Sequence, residues 1–146
     1  GVGLVRRGNY IYQYYGEGAS THGHHDGDVR IWRAKQRLDG FVSVDAGPQG
    51  GWFETPPFEF AGNRLQLNVD CGAMGEAWVE LQDETGEPLP GYTLEDAVSV
   101  DRNGIAQEVW WRGGPDLGSL AGRPVRMRIR MRSAKLYAFQ FAESGR

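Results

Sequence analysis

The chain has 146 residues, a net charge of −3 and a sequence pI near 5.6. This length predicts one domain, or one domain plus a fragment, with a core that needs no disulfide, and the single cysteine, Cys71, excludes an intrachain disulfide. The acidic balance argues against nucleic acid or an anionic membrane as a partner, and no apolar run reaches the roughly 20 residues of a membrane-spanning helix. The sequence leaves the compartment open, with a secreted or periplasmic location slightly favoured.

The N-terminal region differs in composition from the rest of the chain. Residues 1–27 are rich in Tyr, Gly and His and lack a regular alternation of apolar and polar residues. The segment 9–16, NYIYQYYG, predicts an aromatic-rich strand, and a histidine-rich loop follows it. We therefore predict a boundary near residue 28, with residues 1–27 as an N-terminal strand and loop and residues 28–146 as a second domain.

The middle of the chain alternates short strand patterns with turn residues. In the segment 51–60, the pair Pro56 and Pro57 confines the strand to an edge, a bulge or a crossover, because proline cannot donate to a strand ladder. In EAWVELQ, Ala77 and Val79 predict an inward face, which puts Trp78 on the outward face. The predicted strands before the tail are 28–38, 40–47, 51–60, 64–72, 76–82 and 106–111.

The C-terminal segment carries the clearest strand pattern. In VRMRIRMR, apolar residues alternate with arginines over eight positions, which predicts one dry and one wet face. About nine short strands, separated by turn signals, predict an all-β fold, specifically an antiparallel β-sandwich of jelly-roll or lectin-like type. The four arginines suggest either an anion-binding stripe or, as we favour, a solvated row paired with acids of neighbouring strands. The candidate acids are Glu76, Glu80 and Glu108.

All three histidines of the chain lie within THGHHDGD. Imidazole and carboxylate groups suit divalent metals, but the adjacent His24 and His25 would point to opposite faces of an extended chain. Flanking glycines favour a solvated loop, and a role in contacting a ligand stays open. The candidate loop contacts are His22, His24, His25 and Asp26.

Several spaced features from residue 37 onward match a known pattern in order and spacing. They are Asp39-Gly40-Phe41, Pro90-Gly91, Leu94-Glu95-Asp96, Asp116-Leu117, Leu120-Ala121-Gly122 and Leu136-Tyr137-Phe139. With these features the chain resembles the C-terminal β-sandwich that follows a five-bladed β-propeller in glycoside-hydrolase-like proteins, and residues 1–36 resemble the last blade of such a propeller.

The resemblance implies a carbohydrate-related role and a propeller domain as a neighbour. In such enzymes the catalytic carboxylates lie on the preceding blades, which this chain lacks. No catalytic residue is therefore transferred to this chain, and we expect no hydrolase activity from it alone.

Exposed tryptophans are the strongest candidates for binding. Sugar rings present apolar C–H faces, and flat aromatic side chains stack on them. We assign Trp111 to packing, because the resembled pattern has an aromatic residue there. The candidate carbohydrate-binding residues are Trp52, Trp78 and Trp110, with packing against a loop or a neighbouring domain as the alternative.

Loop carboxylates suggest a structural calcium ion, since such ions are held by oxygen ligands. The candidate ligands are Asp83, Glu95 and Asp96, and their spacing is not that of an EF-hand. We expect no cofactor to be required.

Together these observations predict a non-catalytic carbohydrate-binding or accessory module that binds a polysaccharide or oligosaccharide. The alternatives are a purely structural module, which braces a propeller or forms a homodimer, and the C-terminal fragment of a glycosidase. The sequence does not identify the glycan, the oligomeric state or what precedes Gly1.

Overall fold

The structure, a computed structural model, describes residues 3–18 and 29–144 and is all-β, with antiparallel strand pairing. The predicted fold class is confirmed at this level, while the jelly-roll or lectin-like type stays a prediction. Within the described residues, no helix is long and apolar enough to span a bilayer. The strands are β1 (Leu4–Arg7), β2 (Tyr10–Gly18), β3 (Val29–Arg37), β4 (Val44–Ala46), β5 (Gly51–Glu54), β6 (Arg64–Asp70), β7 (Glu76–Gln82), β8 (Ala97–Val98), β9 (Gly104–Glu108), β10 (Trp110–Trp111), β11 (Arg126–Arg132) and β12 (Ala134–Ala142).

The chain divides into two units, Gly1–Phe41 and Val42–Arg146. The first contains one sheet with the strand order β1-β2-β3. The sequence placed the boundary after residue 27, whereas the contacts divide the chain after Phe41. The reason is that β3 pairs with β2 along its whole length, from Gly18 opposite Val29 to Tyr10 opposite Arg37.

The second unit has two main antiparallel sheets that share one hydrophobic core. Their strand orders are β5-β11-β7 and β4-β12-β6-β9, and the short strands β8 and β10 pair separately. Leu67 of β6, Val79 of β7 and Ile129 of β11 are fully buried in a single cluster. Because both sheets contribute apolar side chains to this cluster, the arrangement is sandwich-like.

The alternation in β11 is confirmed. Met127, Ile129 and Met131 are buried, whereas the arginines between them face outward. The position of β11 between β5 and β7 explains this clear pattern, because the strand is paired on both edges and only its outer face meets water. The outer face of this sheet is therefore rich in cations.

The proline pair acts as predicted. Strand β5 ends at Glu54, before Pro56, and it pairs only with β11, at the edge of the sheet. The chain regains contact with β11 at Phe58, which exchanges two backbone hydrogen bonds with Val125. Proline thus lies where the strand leaves the ladder.

Other strand predictions were partly wrong. The described residues contain twelve strands, not nine, because strands of two to four residues such as β1, β8 and β10 carry too few residues for an alternation to be visible. The predicted strand 40–47 shortens to Val44–Ala46, and Phe41 and Val42 are 64% and 77% exposed. An apolar alternation alone did not distinguish this exposed segment from a core strand.

Two single side chains fix the core between the sheets. Trp111 is 2% exposed, lies edge-on to Tyr92 at 5.3 Å between ring centres and donates its indole N–H to the Val79 carbonyl at 2.9 Å. Its assignment to packing is confirmed.

Cys71 is fully buried and donates its thiol hydrogen to the Val100 carbonyl, and burial raises the pKa of the thiol to about 11.

Adjacent tryptophans give a matched test of this packing. We expect Trp111→Phe to lower the free energy of unfolding by about 1–3 kcal/mol, because it removes a buried hydrogen bond and leaves a gap. Trp110→Phe, at a 46% exposed position, should change it by less than about 0.5 kcal/mol. Urea unfolding followed by circular dichroism measures both, and equal losses would contradict the assigned packing.

Candidate functional site

The outer face of the β5-β11-β7 sheet brings two tryptophans and an arginine into one row. Trp52 of β5 lies opposite Arg130 of β11, and Arg130 lies opposite Trp78 of β7. Residues in register share one face of a sheet. We call these three residues the tryptophan row. Neighbouring strands lie about 4.8 Å apart, so the two tryptophans are separated by about 10 Å across the sheet.

The row is accessible to a ligand. Trp52 is 63% exposed, Arg130 is exposed and Trp78 is half-buried. The Arg130 guanidinium lies 4.6 Å from the ring centre of Trp78, and that of Arg128 lies 5.2 Å from the ring centre of Trp52. Such cation–π contacts hold the long arginine side chains against the indoles. Because Trp52 stays mostly exposed, much of its ring surface remains open for stacking.

A groove of about 710 Å³ runs over the row. One wall is the turn before β5, where the Gly50 amide donates to the Gly47 carbonyl at 2.9 Å. Gly50 has a φ of +76°, and a Cβ atom there would lie 3.1 Å from the Met131 carbonyl oxygen. Glycine therefore permits both the left-handed turn and its close approach to β11. The lining residues are Gln49, Gly50, Gly51, Trp52, Glu76, Trp78, Arg130, Met131 and Arg132.

The other end of the same face is closed. Glu80 is 4% exposed and accepts hydrogen bonds from the Leu94 amide at 3.0 Å and the Gln82 side chain at 2.9 Å. Gln82 is fully buried. The segment around Leu94 thus covers the C-terminal end of β7, and the open part of the face is the end that carries the tryptophan row.

Neighbouring acids neutralise two of the four outward arginines of β11. Arg128 forms ion pairs with Glu54 and Glu80, and Arg132 pairs with Glu76 at 2.7 Å. The predicted pairing of the arginines with Glu76 and Glu80 is confirmed. The prediction for Glu108 is wrong.

Glu108 lies on β9 in the other sheet, where it pairs with Arg64 at 3.2 Å. Arg126 uses a different partner, since it donates to the Glu84 carbonyl at 3.0 Å. Arg130 forms no ion pair with any described residue, and its one described contact is with the Trp78 ring.

Trp110 lies apart from the row. It pairs with Val98 of β8 and lines a separate groove of about 350 Å³ with Asp101, Arg102 and Glu108. Two of the three candidate tryptophans, Trp52 and Trp78, therefore come together on one face. The third is exposed elsewhere in the same unit, on a short strand whose position the sequence did not indicate.

The candidate calcium ligands are engaged in local turns. One oxygen of Asp83 accepts hydrogen bonds from the hydroxyl and the amide of Thr85 at 2.6 and 2.8 Å and from the Glu87 amide at 3.0 Å. These bonds, led by that from the Thr85 hydroxyl, lower the pKa of Asp83. Asp96 accepts from the Thr93 hydroxyl at 2.8 Å, and Glu95 is exposed. Within residues 3–18 and 29–144, no three His, Cys, Asp or Glu side chains are grouped to hold a metal.

The histidine-rich loop lies outside the described residues. The predicted loop contacts His22, His24, His25 and Asp26 are therefore not placed by the structure, and their role stays a prediction.

The sequence did not single out Arg130 among four alternating arginines. Its distinct setting comes from the register, which puts Trp52 and Trp78 beside it and glutamates beside its neighbours. The turn Gly47–Gly50 was also not predicted as a wall of the groove. No pattern within one strand reports which residues of distant strands lie opposite it.

Comparison with known proteins assigns the chain to no family. No family model, no curated protein and no solved structure matches the chain.

The Glu54–Arg128 pair gives a pH test of this electrostatic arrangement. The Arg128 guanidinium, hydrogen-bonded to Glu54, holds the pKa of that carboxyl below its usual range. A lowered folded-state pKa stabilises the fold above the unfolded-state pKa, and this stabilisation is lost as the pH falls through the folded-state pKa. We therefore expect Glu54→Gln to lower stability at pH 7 and the gap to the parent to shrink below about pH 4.5.

Urea unfolding at several pH values measures this gap. Glu59→Gln is the matched control, because Glu59 is exposed and forms no ion pair with the described residues. A gap for Glu54→Gln that stays constant down to about pH 3 would contradict the role of the ion pair.

Proposed function

We propose that the chain is a non-catalytic carbohydrate-binding module, accessory to a glycoside-hydrolase-like protein. The observation that carries this proposal is the tryptophan row, in which Trp52 and Trp78 flank Arg130 along an open groove. The indoles offer flat apolar surfaces for sugar rings, and Arg130 and Gln49 offer hydrogen-bond donors for hydroxyl groups. Aromatic walls with a few polar groups are the common composition of small-ligand sites.

The spacing of the row supports a polymeric ligand. Two tryptophans on strands about 10 Å apart, with β11 between them, can contact separate sugar rings of one chain. The groove is open to solvent rather than enclosed, so it can accept an internal stretch of a polysaccharide as well as a chain end. The proposed ligand is therefore an internal stretch of a polysaccharide or an oligosaccharide of several units.

The acid content of the groove supports a non-catalytic role. Glycoside hydrolysis uses two carboxyl groups across a cleft. Among the described residues that line this groove, Glu76 is the one carboxylate, and Arg132 holds it at 2.7 Å. Binding, rather than bond cleavage, is the chemistry that these residues favour.

Substitution of the tryptophans tests the proposal. Trp52→Ala and Trp78→Ala should each weaken binding to the preferred polysaccharide by about tenfold or more, because central aromatic contacts carry much of the binding energy. Trp110→Ala is the matched control and should bind as the parent does. Affinity electrophoresis across a panel of soluble polysaccharides, followed by calorimetry on those that bind, gives the measurement.

Two outcomes would overturn the proposal. One is no saturable binding to any polysaccharide of the panel. The other is binding that Trp110→Ala abolishes while Trp52→Ala and Trp78→Ala leave it intact, which would assign the site to the groove beside Trp110.

A second candidate function, a structural module that forms a homodimer, is favoured by the sheet β1-β2-β3. One face of this sheet leaves large apolar side chains exposed, among them Ile31 at 78%, Tyr10 at 41% and Tyr14 at 39%. Contiguous exposed apolar side chains often mark an interaction surface.

Sedimentation over about a hundredfold range of protein concentration tests this second candidate. If it holds, the parent and Val98→Lys associate at high concentration, whereas Ile31→Lys stays monomeric. Val98 is the matched control because it is 49% exposed in the second unit. A parent that is monomeric throughout contradicts the homodimer.

A further inference from the structure

The charge of Arg130 is not compensated in the way that the charges of Arg128 and Arg132 are. Along β11, Arg128 is paired with Glu54 and Glu80 and Arg132 with Glu76, whereas Arg126, outside the groove, donates to a backbone carbonyl. Arg130 is exposed in the groove and contacts an indole ring, and no described carboxylate pairs with it.

The groove as a whole therefore carries one net positive charge from its lining. Arg132 and Glu76 cancel within it, and Arg130 remains. The register explains this, because the cross-strand neighbours of Arg130 are Trp52 and Trp78, whereas those of Arg128 are Glu54 and Glu80. The site thus combines two apolar surfaces with one unneutralised cation between them.

We infer that the groove selects an acidic polysaccharide, in which a sugar carboxylate pairs with Arg130 while sugar rings lie against Trp52 and Trp78. The planar guanidinium matches a carboxylate with two parallel hydrogen bonds. Sugar rings that lie against the two indoles would cover the pair and reduce its contact with water, which strengthens it. This inference rests on the proposed carbohydrate-binding function and adds the chemical class of the ligand.

Matched pairs of polysaccharides test the inference with the full chain. Polygalacturonate and methyl-esterified pectin share a backbone, but only the first has free carboxylates throughout. Carboxymethylcellulose and hydroxyethylcellulose likewise share a backbone, and only the first is charged. In at least one pair the acidic member should bind more tightly than the neutral one, by about tenfold or more, because a hydrogen-bonded charge pair contributes that much.

Arg130→Gln should remove this difference, because it weakens binding of the acidic member much more than that of the neutral one, for which the Gln amide can still donate to a sugar hydroxyl. Arg130→Lys keeps the charge without the planar fork and should retain part of the preference. Arg123→Gln makes the same change of charge at an exposed position outside the groove and should leave the preference intact. Circular dichroism checks that each variant is folded, which the exposed position of Arg130 favours.

The outcomes separate this inference from the proposed function. Equal binding of both members, sensitive to Trp52→Ala, overturns the inference and keeps the proposed function. The inference is also overturned if Arg123→Gln removes the preference for the acidic member as fully as Arg130→Gln does. The preference would then depend on the overall charge of the protein. No binding to any polysaccharide overturns both.

Discussion

The pairing of β11 on both edges is the constraint on which the site depends. Because β5 and β7 lie on either side of it, the strand must present its even-numbered arginines outward and its odd-numbered apolar residues to the core. Four cations on one face would repel each other. The flanking strands reduce this repulsion because Glu54, Glu76 and Glu80 form ion pairs with the arginines. Only at the level of Arg130 do both neighbours supply tryptophan instead.

This arrangement explains why one end of the face is structural and the other is open. At the covered end, Glu80 bonds the segment around Leu94 and fixes it over Gln82. At the open end, the turn at Gly50 forms a wall and leaves the indoles accessible. The outward side chains of this face thus stabilise the sheet at the covered end and form a groove at the open end.

The period-two patterns explain which parts of the fold the sequence predicts. The strands β6, β7 and β11 were predicted because each has a buried face of regularly spaced apolar residues. The exposed segment at Phe41 and Val42 carries the same pattern without a core to face, and its predicted strand was too long. The boundary after Phe41 depends on the pairing of β2 with β3, and residue composition does not report a pairing between separate segments.

The sequence predicted the candidate site in part, as it predicted the fold in part. Strand parity put Trp78 outward, the resembled pattern put Trp111 in the core, and both side chains lie there. Which outward tryptophans meet, and which arginine lies between them, depends on the registers of β11 with β5 and β7, and these arise from the packing of the whole unit. Trp110 is an example: strand parity allowed its exposure but did not indicate that it pairs with Val98, away from Trp52 and Trp78.

The central claim is that the tryptophan row contacts a polysaccharide. Titration of the nitrogen-15-labelled chain with an oligosaccharide of the preferred polymer, followed through its five tryptophan indole N–H signals, tests it most directly. The signals of Trp52 and Trp78 should shift together and saturate, while those of Trp32, Trp110 and Trp111 stay in place. A titration in which Trp52 and Trp78 do not move, or in which Trp110 alone moves, would contradict the claim.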